Sequence, residues 1–180
     1  MSAQRCMRRS WLTRVMVVAM AVGLLSLGPP TANATAASAL PPFSCGTQSG
    51  GSASHYGQVS DVRVGRHVGY DRFVVQFANG GIPAYTVTPK SSARFWLDGS
   101  GKPVTLRGTA GIKLVMHPSS GQGTFSGPTD VRTNFAQLLE IRRIGDFEGY
   151  LSWGLGLAHQ SCKRVFTLTS PARLVIDVPN

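Results

Sequence analysis

The chain is short of acid. It has 8 Asp and Glu against 18 Lys and Arg, a formal charge of +10 at pH 7. It also lacks the spacings that announce common chemistries. Its four histidines, His55, His67, His117 and His159, are scattered, and neither an H-x-x-x-H nor a C-x-x-C pattern occurs. Metal sites need clustered ligands, so no metal or other cofactor is expected. No G-x-S-x-G elbow and no phosphate-binding loop is present. Asp98-Gly99-Ser100-Gly101 lacks the acidic spacing and closing Glu of a calcium loop. No segment holds a sustained helical stripe of apolar residues. The longest apolar run, Val15 to Leu27, spans thirteen residues, short of the ~20 that cross a bilayer.

That run has a purpose at its position. Arg5, Arg8, Arg9 and Arg14 precede or open it, and Ala32-Asn33-Ala34 and Ala37-Ser38-Ala39 follow it. A basic start, a short apolar stretch and small-residue cleavage sites make a secretory signal peptide over residues 1–34. Retention as an N-terminal anchor is the alternative. Residues 35–180 then hold 14 basic and 8 acidic side chains, a balance of +6. Basic domains often meet nucleic acid, but an exported one rarely does. Its anionic partners would be envelope polymers, and the mature chain is expected to carry no membrane span. Cys6 leaves with the signal. Cys45 and Cys162 remain, an even pair in an oxidising compartment, and are expected to form a disulfide.

Residues 35–58 are rich in Ser, Gly, Ala and Pro and read as a linker or loosely held arm. The folded part is expected from Val59. There, apolar residues recur with period two. Phe73, Val75 and Phe77 share a face, as do Ile112, Leu114 and Met116, and Leu174, Ile176 and Val178. Turn residues at Asn79-Gly80-Gly81, Asp98 to Gly101 and Ser170-Pro171 separate these runs. Short, regularly spaced strands without helices predict an all-β fold, a sandwich or a barrel in one domain.

The stretch IGDFEGYLSWGLGL, Ile144 to Leu157, holds two carboxylates, a Tyr and a Trp among four glycines. Read as one strand, it turns Phe147, Leu151, Trp153, Leu155 and Leu157 to the core. Asp146, Glu148, Tyr150 and Ser152 take the wet face. Asp146 and Glu148 could be a glycosidase pair, or a solvated pair partnered by Arg142 and Arg143. Arg63, Arg66 and Arg72 cluster in DVRVGRHVGYDRFV. Arginine forks suit carboxylate and phosphate, so an anionic-ligand patch competes with simple ion pairs such as Arg72 with Asp61 or Arg173 with Asp177.

Three segments together, DVRVGRHVGYDRFVVQF, IGDFEGYLSWGLGL and RVFTLTSPARLVIDV, resemble the AMIN-like domain of secreted proteins and lipoproteins of actinobacteria. The resemblance covers residues 59–180. It implies a two-layer antiparallel β-sandwich and a role in binding the cell envelope, peptidoglycan or an associated glycan, without catalysis. The candidate contact residues are Arg142, Arg143, Asp146, Glu148 and Tyr150, with Arg63 and Arg66 as a basic flank. A small secreted glycan hydrolase using Asp146 or Glu148 is one alternative. A protein-interaction module using an exposed sheet edge is the other.

Overall fold

The computed structural model describes residues 39–180. The expected signal segment, residues 1–34, lies outside the described residues. Thirteen strands follow: β1 Gln48–Gly50, β2 Gly57–His67, β3 Tyr70–Phe77, β4 Ala84–Lys90, β5 Arg94–Trp96, β6 Pro103–Thr105, β7 Ala110–His117, β8 Ser119–Ser120, β9 Asp130–Arg132, β10 Leu138–Phe147, β11 Tyr150–Leu157, β12 Arg164–Thr169 and β13 Ala172–Pro179. There is no helix among the described residues.

The strands form a β-sandwich, as expected. One sheet has the order β1-β4-β7-β11-β10-β9, the other β12-β13-β3-β2-β8. All pairings are antiparallel except the short β2–β8 contact. The alternating residues face inward from both layers. Phe73, Val75, Phe77, Ile112, Leu114, Met116, Leu174, Ile176 and Val178 are all buried. Trp153 is fully buried among them, against Phe73 and Phe125. A buried carboxylate also joins the layers. Asp71 of β3 accepts the Gln137 and Leu138 N–H groups at 2.8 and 2.9 Å where β10 begins. Two backbone donors that would otherwise be orphaned at that strand start are thereby satisfied.

β5 and β6 form a separate two-stranded flap. It explains the glycines of SWGLGL. Phe95 and Leu106 lie flat on Gly111, Gly154 and Gly156, where any Cβ would collide with them or with the neighbouring backbone. Ala93, Phe95, Leu106 and Ile144 make a small second core there. Half of the outer face of the larger sheet is therefore covered, not wet.

The arm is not a loose linker over its described part. Residues 39–58 carry β1, which pairs with β4, and the first residues of β2. Ser44 and Lys163 exchange backbone hydrogen bonds at 2.7 and 3.0 Å, and Cys45 is bonded to Cys162. Lys163 is buried and donates to the Gly46 carbonyl at 2.5 Å. Burial holds its ammonium below the usual lysine range. Hydrogen bonds and one covalent bond hold this segment, so its poverty in large apolar residues misleads.

Candidate functional site

The stretch IGDFEGYLSWGLGL is two strands, not one. β10 ends at Phe147 and β11 begins at Tyr150. Glu148 and Gly149 form a two-residue turn between them, with φ of 50° and 75°. Both values are positive, as a type I′ hairpin turn requires. A bulge between Arg143 and Gly145 shifts the register of the same hairpin. The turn puts Phe147 and Tyr150 opposite each other on one face, where a continuous strand would put them on opposite faces, and the bulge exchanges the faces again upstream. Asp146 then sits opposite Leu151 on the inward side, and Phe147 opposite Tyr150 on the outward side. The expected placement of Phe147 in the core and of Asp146 on the wet face is thus reversed.

Each expected contact residue can now be placed. Asp146 has an almost buried side chain. Its carboxylate accepts from Ser120 Oγ at 2.8 Å, Gly121 N at 3.1 Å and Arg143 at 3.3 Å. Arg143 and Asp146 anchor the loop after β8, with the Asp146 carboxylate almost buried and the Arg143 side chain partly exposed. Arg142 faces Asp130 of β9 across the ladder, 3.5 Å away. Arg63 and Arg66 belong to β2 in the other sheet, and Arg63 pairs with Asp61 at 2.9 Å. Of the expected set, Arg143 and Asp146 pair with each other, and only Glu148 and Tyr150 share an open hollow. The proposed ion pairs are also redrawn. Arg72 pairs with Asp177, and Arg173 Nε donates to the Pro171 carbonyl.

Tyr150 lies between two hollows on the uncovered half of the outer face. One, of about 260 Å³, is bounded by Asp98, Lys113, Phe147, Glu148 and Ser152. The other, about 350 Å³, is bounded by Ser49, Ala84, Tyr85, Thr86 and His117. Val115 and Tyr150 line both. Together they form a shallow trough across the sheet. Phe147 is 60% exposed and Tyr150 50% exposed. The Tyr150 ring is backed by His117, with centroids 3.9 Å apart and planes 20° from parallel. Two aromatic rings are thus displayed on neighbouring strands of the sheet.

Polar groups surround the rings. Ser49 and Thr86 hydroxyls lie 3.2 Å apart, and Lys113 is 3.8 Å from Asp98. Burial raises the Tyr85 phenol above its usual range, so it stays protonated. Its hydroxyl passes over Gly50, where a Cβ would strike it. Sequence reading found Tyr150 and Glu148 but missed Phe147, His117, Lys113 and Thr86. Only strand pairing assembles them. Among the described residues no group of three or more His, Cys, Asp or Glu could hold a metal ion. No helix there is long and apolar enough to cross a membrane.

The AMIN-like domain model matches residues 57–180. The chain belongs to the AMIN-like domain family. No curated protein and no solved structure matches it. Membership points to an envelope-localisation or binding module. The disulfide is compatible with an extracytoplasmic place for this AMIN-like domain. The match begins where β2 begins. The arm with β1 and Cys45 therefore precedes the matched span, yet it supplies Ser49, Gly50 and Ala53 to the trough.

Glu148 occupies a backbone conformation that costs a residue with a Cβ about 1–2 kcal/mol. Asn tolerates it better. Glu148→Asn is expected to raise stability by about 1 kcal/mol, read from chemical denaturation. No gain would mean that the Glu side chain offsets its own strain.

Proposed function

We propose that the domain is an exported, non-enzymatic module that holds a cell-envelope glycan, peptidoglycan or another wall polymer, in the trough centred on Tyr150. The observation that carries this reading is the pair of exposed rings, Phe147 and Tyr150, set on neighbouring strands beside two polar-rimmed hollows. Aromatic faces offer apolar surface with little conformational freedom to lose, which suits the C–H faces of sugars. Hydroxyls and a paired Lys113–Asp98 rim can take up sugar hydroxyls. The site has no excess of unpaired positive charge, so stacking, rather than attraction to a polyanion, is its main contribution.

The test is binding of the domain to purified cell walls at low and high salt. Binding is expected to persist at high salt, because burying a ring is not screened. Tyr150→Ala and Phe147→Ala should each weaken it about tenfold, the equivalent of ~1.4 kcal/mol. Undiminished binding by the double variant would sink the site assignment. Binding abolished by salt would move it to the arginines.

A hydrolase reading would now need Glu148 with Asp98, since Asp146 is occupied by three donors on the other side of the hairpin. Release of new reducing ends from wall glycan, lost in Glu148→Gln, would establish it in place of simple binding.

A further inference from the structure

The smaller sheet carries an unfinished edge. β2 pairs with β3 from Val59 to His67. Its other side pairs with β8 only at Gly57 and Gln58, and Thr124 Oγ1 donates to the Val59 carbonyl. From Val62 to Arg66, the outward backbone groups have no hydrogen-bond partner among the described residues. In an antiparallel pair every second residue turns its N–H and C=O away from the neighbour. This edge is therefore a row of free donors and acceptors. Arg63 and Arg66 are the charges between Val62 and Arg66; they guard the edge against like-charged strands and leave it open to an acidic one. The β2 bulge lies earlier, between Val59 and Asp61, and no proline occurs in the strand.

The side chains on the edge have an order. Val62 and Val64 face the core but are only partly buried, so the core is incompletely closed there. Arg66 follows on the same face. It sits opposite Asp71 in register, but that carboxylate is taken by Gln137 N, Leu138 N and Asn180 Nδ2. Arg66 makes no ion pair among the described residues. Instead it lines a hollow of about 780 Å³ with His67, Ala136 and Asn180. Val68 at its rim is fully exposed. The opposite edge of the sheet, β12, offers no such order. Beyond Val165 its core-facing row is Thr167 and Thr169, both exposed.

We propose that the β2 edge is a strand-addition site for an extended acidic segment of another protein. Two apolar residues of that segment would sit beside Val62 and Val64, and an Asp or Glu on the same face would meet Arg66 at the hollow. Main-chain hydrogen bonds would supply binding and the alternate side chains would supply selectivity. A second copy of this chain fits worse. In the registers that keep both apolar rows inward, Arg66 would meet Val62, Val64 or another Arg66, never a carboxylate. The site lies in the other sheet from Tyr150, so it stands or falls independently of glycan binding.

The experiment titrates the domain with an acetylated, amidated peptide, Thr-Glu-Thr-Val-Thr-Val-Thr, whose order sets its Glu beside Arg66 and its two Val beside Val64 and Val62 in antiparallel addition, followed by amide NMR. Shifts concentrated on residues 60–67 are expected. A peptide with Lys in place of Glu should bind at least tenfold more weakly, and one N-methylated at alternate residues should not bind. Arg66→Glu, a change at an exposed position, should reverse the preference in favour of the Lys peptide. Tyr150→Ala should leave it unchanged. No binding at millimolar peptide overturns the proposal. So does binding that ignores N-methylation, or Arg66→Glu with the preference intact. Self-association lost in Arg66→Glu would give the edge to a second copy and overturn it as well.

Discussion

Asp177→Asn is expected to destabilise the domain by about 3–5 kcal/mol, the usual result of breaking a buried charge cluster on one side. Asp177 is fully buried in β13. It lies between Arg164 of β12 and Arg72 of β3, directly opposite both in register. Arg72 gives it a two-pronged contact at 2.6 and 2.9 Å, and Arg164 adds a third bond at 2.7 Å. The hydrogen bond to Asp177 is the main reason that the Arg72 guanidinium is held even more firmly protonated than usual. Both cations also face aromatic rings. Arg164 is 4.7 Å from the ring centres of Phe43 and Tyr70, and Arg72 is 5.1 and 5.3 Å from those of Tyr70 and Phe166. Asn has the same shape, so packing survives. The two mostly buried cations would keep their ring contacts and lose the only counter-charge they have among the described residues. Denaturant midpoints with an unchanged slope would measure the loss. The exposed Asp61–Arg63 pair is the control, and Asp61→Asn should cost under ~1 kcal/mol. Equal losses at the two sites would refute the cluster's special weight.

Replacing Cys45 and Cys162 together by Ser should cost about 2–5 kcal/mol. The bond closes a loop across 117 residues, and cross-linking a long loop removes much freedom from the unfolded chain. The native arm keeps other attachments: the Ser44–Lys163 bridge, the Lys163–Gly46 hydrogen bond and the β1–β4 ladder. The variant should therefore fold, with cleavage by added protease falling first within residues 39–52. Ser49 and Gly50 lie in that stretch and line the trough, so wall binding should weaken in parallel. Unchanged stability would mean that those other attachments hold the arm without the bond. Cleavage elsewhere would mean that the arm is not the weakest part.

The sequence alone determined the main inward rows and the all-β class, and the family resemblance chose the sandwich over the barrel. Period-two alternation is a local property, readable without knowing any partner, and it identified Phe73 to Phe77, Ile112 to Met116 and Leu174 to Val178 as inward rows. Cys45 and Cys162, the two cysteines outside the expected signal segment, form the disulfide expected of them. The family resemblance rested on the same local segments. Tertiary structure alone decided which side chains meet at the proposed site. A bulge at Arg143–Gly145 and a turn at Glu148–Gly149 change strand parity twice, which turned Asp146 in and Phe147 out. Alternation counted straight through such irregularities gives the wrong face, because one extra residue inverts every side chain beyond it. Ion-pair partners were equally beyond reach. Asp177 and Arg72 lie 105 residues apart and meet only through the β3–β13 register. Which half of the larger sheet stays open, and so where a ligand can lie, depends on the flap that rests on Gly111, Gly154 and Gly156. That contact joins three separate segments, and no local pattern encodes it.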